Sequence, residues 1–497
     1  MAGRLDSDRL VVKEMVRLPN SPVWLADGLH WDVLRIHQRM LEGIAELSRQ
    51  VPGEPISVGI DGWGVDYGLL DADGRLLGPP FHYRDERTAG RIEEADRLVG
   101  LSRIYEATGI QFMPYNTLYQ LLAERESAAY RAASSLLLIP DLLSYLFTGQ
   151  GRLERTNAST TQLVDARTGR LVDWLLAQLG LRRDLFAAPI EPGDVLGEML
   201  AQVARGVDLE VLPLVIAVAS HDTASAVLAV PARDGAFAYV ISGTWSLVGL
   251  ELEAPVITEE SRKANFSNEL GVEGSVRFLK DVMGHWMLQE CVRTWGQAGR
   301  KVSLKELTTA AERCAPFRSL VDTELLAFAA PGDMPDRVRS ACALTGEPVP
   351  SSEAELVRCV LDSMALSVAE ALEEALHCAD REVGIVHLLG GGAANELLLS
   401  LVAATTGREV MAGPVEASSI GNLLVQLETV GRVHGRAEMR ELVRRSFPPV
   451  RVIPDPDLMG AAAGARLRLA AIRSQNLEKG SSNPQQETKI SPAVAAG

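Results

Sequence analysis

A two-domain α/β fold is what this sequence predicts, and three observations carry the prediction. The chain has 497 residues, enough at roughly 150 residues per domain for two to four cores. Hydrophobic residues make up 47% and charged residues 23%, the balance of a globular protein. Short β-rich runs alternate with stretches of helical spacing, and the order repeats: in each half strands and turns come first and helices later.

The elements follow in order. After two short strands, Val33, Leu34, Ile36, Met40, Leu41, Ile44 and Leu47 recur at helical spacing. ISVGI and VDYGLL, within 51–77, read as strands of a meander, with DADG as the turn before RLLG. Residues 90–210 carry mostly helical patterns, including LLLIPDLLSYLFTG at 136–149, and form a helical insertion. LPLVIAVAS then reads as a buried strand, and AFAYVISGTWSLVGLELEAPV as two strands around a Ser-Gly-Thr turn. A long helix is expected over 353–377, followed by a strand (VGIVHLL), a GGG turn and a helix from Asn395. From Ser474 the chain is polar and rich in Pro, Ser and Gln, which predicts a disordered tail. The expected division is 1–230, 231–473 and a tail at 474–497.

Charge narrows the partners. A net charge of -16 and a pI of about 5.1 repel phosphate backbones, so nucleic acid is not an expected partner. No apolar run approaches the ~18 residues of a membrane span. Arg4, Asp6, Asp8 and Arg9 occupy the place of a signal peptide's apolar core. A cytoplasmic protein without a membrane partner is the expectation, as a monomer or small homo-oligomer. The 5 cysteines form no CxxC pair and read as reduced, mostly buried thiols. No dedicated metal cage is visible among the 8 histidines.

Four segments could carry chemistry. SHDTASA puts Asp222 between a buried strand and a small-residue helix, where a carboxylate serves either as an N-cap or as a base. Consecutive Ser220, His221 and Asp222 do not make a hydrolase triad, because neighbouring side chains diverge. ISGTWSLVG offers Gly243 backbone N–H groups and the Thr244 hydroxyl, either a phosphate cradle or an ordinary hairpin turn. HLLGGGAANELL places three glycines ahead of a helix, open to an anionic ligand or required by tight strand–helix packing. It is not GxGxxG, and GxxxxGK[ST] does not occur, which disfavours Rossmann and Walker-type sites. IDGWGVDYG with FHYRDERT combines Asp61, Trp63, Gly64 and Asp66, suited to a polyhydroxylated ligand or simply to a turn with a solvated charge run.

Taken together and in order, IDGWGVDYGLLD, YRDERT, GIQFMPYNTLYQL, TNASTTQLVD, SHDTASAV, SGTWSLVG, FLKDVMGHWMLQE, GGGAANELL and GPVEASSIGN resemble the FGGY family of carbohydrate kinases from near Arg4 to near Leu469. The resemblance implies two ribonuclease-H-like domains of the actin and hexokinase type, with helical insertions and an interdomain cleft: a sugar-binding domain over 1–230 and a nucleotide-binding domain over 231–473. It implies ATP and Mg²⁺ as cofactors and transfer of the γ-phosphoryl group to a ketose, L-rhamnulose at its 1-hydroxyl, with another ketose such as L-fuculose, or sugar and nucleotide binding without turnover, as alternatives. Asp222 is the implied base. Gly64, His221, Thr223 and Asp281 are implied sugar contacts, Thr244 a phosphate contact, Gln289 a nucleotide contact and Gly391 an adenosine contact. Three departures from the family pattern stand out. A strand and glycine-rich turn of the type DxGxxSGR do not precede MAGRLDSDRL, which leaves a sheet edge expected to be bare. Asp281 stands where Asn is usual and adds negative charge, and Ala394 replaces a usual Gln.

Overall fold

The computed structural model describes residues 1–52, 56–207, 209 and 211–482. The chain opens with a hairpin of β1 (Ala2–Asp6) and β2 (Arg9–Lys13), with Leu5 paired to Leu10. After a second small hairpin comes α1 (Val33–Gln50), where Asp32 caps the first turn by accepting from the Arg35 N–H. Val33, Leu41 and Ala45 form its buried stripe.

The predicted meander is not formed. β3 (Ser57–Gly59) and β4 (Tyr67–Leu70) belong to different sheets, and β4 pairs antiparallel with β5 (Ser135–Leu138). IDGWGVD between them does not turn back on β3, because Gly62 bridges to His221 instead. LLLIPDLLSYLFTG also divides: its first residues complete β5, and α2 (Ile139–Thr148) starts with Pro140 in its first turn. Proline's fixed φ and missing N–H suit that position. Elsewhere residues 91–179 are largely short helices packed around Leu118, Tyr119, Leu136 and Leu175, the expected insertion.

β6 (Val195–Glu198), β7 (Leu214–Ile216) and β3 form a three-stranded sheet in that order, β7 running parallel to β3. The chain leaves β7 through Ser220 and His221 into α3 (Asp222–Leu228). β3 is an edge strand, yet the edge is not bare: Asn422 donates to the Gly59 carbonyl at 3.0 Å, and Ser57 Oγ lies 2.7 Å from the Gln426 amide. The Asn422 amide thus stands in for a neighbouring strand at the Gly59 carbonyl, which lowers the cost of that edge group. A cavity of about 380 Å³, lined by Leu10, Met40, Ile44 and Leu423, separates this edge from the first hairpin.

The second half builds one seven-stranded sheet from β8 (Phe237–Ser242), β9 (Trp245–Leu252), β10 (Ser267–Leu270), β11 (Val276–Met283), β12 (Ile385–Leu389), β13 (Glu409–Ala412) and β14 (Val450–Val452), ordered β10-β11-β9-β8-β12-β13-β14. Every residue of β8 is buried, as its continuous apolar run FAYVIS requires of a strand covered on both faces. One face packs on α5 (Glu353–Ala379), capped by Ser352 and buried along most of its length. α4 (Trp286–Gln297) precedes it, and α6 (Glu396–Thr406) follows the glycine turn after β12. The opposite face meets α3 and α7 (Ala417–Thr429), which pack so closely that a Cβ on Gly421 would sit 1.8 Å from the Ser225 carbonyl oxygen. β2 rests on α8 (Gly435–Ser446), where the Leu10 N–H donates to Ser446 Oγ at 2.8 Å.

α9 (Pro456–Ser482) closes the chain. Residues 474–482 therefore continue a helix rather than beginning a disordered tail; Arg473 pairs with Glu370, and Asn476 donates to Asp322 at 3.3 Å. The rest of the predicted tail lies outside the described residues. Cys291, Cys342 and Cys359 are buried, Cys314 and Cys378 partly so, and all are free thiols. No helix among the described residues is long and apolar enough to cross a membrane.

Candidate active site

A cleft of about 680 Å³ lies between the two halves. Gly64, His221, Asp222, Thr223, Thr244, Asp281, Gln289 and Gly391, chosen from sequence, all line it.

Asp222 is the first helical residue of α3, not its cap. His221 occupies the cap position without a side-chain capping bond. The Asp222 N–H donates to the Gly62 carbonyl at 2.8 Å, and its carboxylate accepts from Thr223 Oγ1 at 3.2 Å while nearly half of the side chain stays exposed. Of the two readings open in the sequence, the N-cap is removed, and the carboxylate is left facing the cleft. Glu154 fixes the backbone behind it. Its carboxylate accepts from the Ser220 N–H and Oγ at 3.0 and 2.6 Å and from the Thr156 and Asn157 N–H groups, tying TNAST to SHDTAS.

His221 is oriented by the second domain. Its Nδ1 lies 3.1 Å from both Glu269 Oε2 and Arg277 Nη2, members of a buried ion pair across β10 and β11. Burial pushes the Glu269 carboxyl up, but Arg277 and His221 outweigh it and hold it below the usual range. Gly64 admits no side chain, since a Cβ would come within 2.7 Å of Thr160 Oγ1.

Asp281 on β11 takes the Gln111 amide oxygen on its N–H at 2.9 Å and the Tyr115 hydroxyl on Oδ2 at 3.1 Å; Oδ1 is buried without a partner. Burial, then the nearby Glu269 charge, pushes its carboxyl up to about 7. The full negative charge expected from sequence is therefore muted near neutral pH, and the group can donate as well as accept.

The opposite wall is built from backbone. At the β8–β9 turn the Gly243 N–H donates to the Trp245 carbonyl at 2.8 Å, and the Gly243 and Thr244 carbonyls accept from the His285 and Trp286 N–H groups at 3.0 and 3.2 Å. The turn is thereby locked to the start of α4, on which Gln289 sits exposed. After β12, Gly390 takes φ 80°, which favours glycine, and Gly392 packs so tightly that a Cβ would lie 2.4 Å from Ser242 Oγ. Gly391 and Ala394 are exposed in the short turn that follows.

Among the described residues no group of three or more His, Cys, Asp or Glu side chains could cage a metal ion. A Mg²⁺ ion carried by phosphates needs only one or two carboxylates, and Asp222, nearly half exposed on the cleft, fits that role; Asp61 lines the cavity beside the first hairpin instead. Asp61, at the end of β3, is hydrogen-bonded to Asn422, and burial, with the Asp222 charge as a lesser cause, pushes it up to about 6.

Asp66 departs from its expected part in ligand binding. It is fully buried and accepts from Trp31 Nε1 at 2.6 Å, Trp63 Nε1 at 3.0 Å, Gln120 Nε2 at 2.8 Å and the Tyr83 N–H at 3.2 Å. The carboxylate is the hub of an aromatic wall, with Trp31 stacked 4.0 Å from His82 and Tyr83 edge-on to Tyr115 at 5.6 Å. Sequence reasoning assigned no role to Trp31, Tyr83, Tyr115 or Trp245. YRDERT and GIQFMPYNTLYQL carry some of them, but their convergence is long-range and leaves no spacing to read.

Comparison with known proteins agrees with this architecture. The N-terminal domain of the FGGY family of carbohydrate kinases matches residues 22–229, and its C-terminal domain matches residues 238–429. A rhamnulokinase from Bacteroides thetaiotaomicron is 43% identical over 442 residues, covering 88% of this chain and 90% of the relative. Xylulose kinase from Lactobacillus acidophilus, in a ligand-bound structure, superposes with a TM-score of 0.76 at 14% identity, covering 98% of this chain and 96% of that one. Glycerol kinase from Plasmodium falciparum with ADP reaches 0.71 at 13% identity, covering 93% and 92%. A two-domain chain with this cleft, matched along both halves, belongs to the FGGY family of carbohydrate kinases.

Proposed function

We propose that the protein transfers the γ-phosphoryl group of ATP to the 1-hydroxyl of L-rhamnulose, the phosphorylation step of L-rhamnose catabolism. The observation that carries this reading is the uncapped Asp222 carboxylate at the head of α3, facing the backbone turns at Thr244 and Gly391 across one cleft. The 43% identical rhamnulokinase supports the choice of sugar.

The sugar lies against Gly64, His221, Thr223 and Asp281, where buried polar atoms match hydroxyl groups. Asp281 Oδ1 has no other partner. The nucleotide lies along the Ser-Gly-Thr turn, Gln289 and Gly391, where the Thr244 hydroxyl meets phosphate oxygens; the Gly243 N–H, expected from sequence to do so, is held by the Trp245 carbonyl. Asp222 accepts the hydroxyl proton as the sugar oxygen attacks the γ-phosphorus. The bond from that phosphorus to the β,γ-bridging oxygen breaks, and ADP leaves with the electron pair. Alcohol and ATP become phosphate ester, ADP and one proton. Mg²⁺ on the phosphates, when bound, would neutralise their charge, and Asp222 is the cleft carboxylate that would face it. Positioning does most of the work in such a transfer, and a side-chain base adds ~10²–10⁴-fold.

The test is product identity. Incubation with ATP, Mg²⁺ and single ketoses, read by phosphorus NMR, is expected to give the 1-phosphate of L-rhamnulose with the highest kcat/KM. A higher value for L-fuculose or another ketose would replace the sugar in this reading, and no product with any ketose would replace the reaction.

A further inference from the structure

Three acidic side chains of the described residues line the cleft, Asp222, Asp281 and Glu269, although the reading above brings it a polyphosphate. Among the described residues that line it there is one Lys or Arg, Arg84 of the YRDERT segment. Its guanidinium lies 4.1 Å from the ring centre of Trp286, 5.4 Å from Trp245 and 5.1 Å from Tyr83. Tyr83 belongs to the first domain; Trp245 and Trp286 flank the Ser-Gly-Thr turn of the second. Nη1 donates across the cleft to the Ala329 carbonyl at 2.7 Å. Nη2 is buried and has no hydrogen-bond partner, and the side chain forms no ion pair with any described carboxylate.

A desolvated guanidinium nitrogen without an acceptor is costly, and a charged acceptor recovers most. Aromatic faces hold the cation without neutralising it. The backbone behind it is fixed, since the Arg84 N–H donates to His82 Nδ1 at 3.0 Å. The geometry points to Arg84 as a catalytic residue: Nη2 hydrogen-bonds an equatorial oxygen of the phosphoryl group in transit beside Thr244, and Nη1 on Ala329 keeps the two domains at the spacing this contact needs. Arg84 offers a planar, permanently charged donor, the kind of group that stabilises charge on a transferring phosphoryl. The proposal rests on the kinase reading above and adds to it the residue that meets the moving charge.

The test compares Arg84→Gln, Arg84→Lys and Arg84→Ala with the wild type, using the ketose that the wild type turns over fastest. Arg84→Gln is expected to lower kcat by about 10²-fold or more while the sugar KM stays within about threefold of wild type. In calorimetric titrations it should bind ADP as the wild type does and lose the extra affinity for a β,γ-methylene ATP analogue. Added guanidinium should raise the Arg84→Ala rate several-fold, and Arg84→Lys should fall between Gln and wild type. A kcat within about threefold of wild type in folded Arg84→Gln overturns the proposal. So does equal weakening of ADP and analogue without guanidinium rescue, the pattern of a domain latch. If Arg84→Gln does not fold, the Lys variant and the guanidinium series decide by the same criteria. A wild type that prefers another ketose revises only the sugar; a wild type inert with every ketose removes the kinase reading, and the analogue-against-ADP comparison then decides Arg84 alone.

Discussion

The two walls of the cleft solve opposite problems with opposite materials. The first-domain wall is made of side chains: Trp31, Trp63, Tyr83 and Tyr115 are held around the Asp66 carboxylate by hydrogen bonds and ring contacts. The second-domain wall is centred on backbone, two glycine turns at 242–245 and 390–392 pressed together so that Gly392 has no room for a Cβ, with the side chains of Trp245, Trp286 and Asp281 beside them. A neutral polyol is distinguished by shape and hydroxyl geometry, which requires specific side chains. A phosphate chain is recognised by charge and N–H groups, which any residue's backbone can supply. Specificity should therefore be concentrated on the first wall and nucleotide affinity on the second.

The largest expected effect breaks the first wall. Asp66→Ala leaves both indole N–H groups and the Tyr83 N–H without their acceptor, while the Gln120 amide keeps the Tyr115 carbonyl. At ~1–3 kcal/mol for each buried unsatisfied group, the thermal midpoint should drop sharply and the sugar KM should rise at least about tenfold, while ADP affinity in titrations below that midpoint changes little. A parallel loss of ADP affinity would show that the walls are not separable.

Thr244→Val addresses the second wall. The apparent ATP KM should rise several-fold, by loss of a hydroxyl contact worth about 0.5–1.5 kcal/mol, with the sugar KM unchanged. Unchanged nucleotide affinity in a folded variant would reduce the turn to an ordinary hairpin.

How much of this contrast was legible in the sequence depends on the wall. Glycine turns announce themselves, because GGG after a β-rich run and Ser-Gly-Thr between two strands are local patterns, and both occur where expected. Asp222 was visible as a strand-end carboxylate, though only its place one residue past the cap freed it from the capping reading. The aromatic wall was not legible. Trp31 and Tyr83 are 35 and 17 residues from the carboxylate they hold, and Asp66 looks like a ligand in sequence precisely because burial has no local sign. The same reason hid the separation of β3 from β4, since alternation marks a strand but not its partner. The helical continuation past Ser474 was missed because composition weighs what a segment can bury, and this one is held by ion pairs and hydrogen bonds from Arg473 and Asn476.

The smallest expected effect sharpens the contrast at the point where the walls meet. The Asp281 carboxyl, pushed up to about 7, stays protonated in the folded state over a range in which the unfolded chain, with a carboxyl near 4, has lost its proton. The folded state then binds more protons, so this group's contribution to stability falls as pH rises from about 4 to 7. Asp281→Asn should abolish that fall. The variant's thermal midpoint relative to wild type should rise between pH 5 and pH 8, by roughly 2–4 °C for each kcal/mol recovered. A constant difference across that range would contradict the assignment.

On the proposed reading Asp222 performs the chemistry while the two walls perform the binding. The most direct measurement of that division is Asp222→Asn titrated calorimetrically with the ketose and with ADP, followed by single-turnover phosphorylation of the same preparation. An amide cannot take the proton, so both affinities should remain within about threefold of wild type while the rate falls by ~10²-fold or more. A variant that keeps more than about a tenth of the wild-type rate would contradict the account.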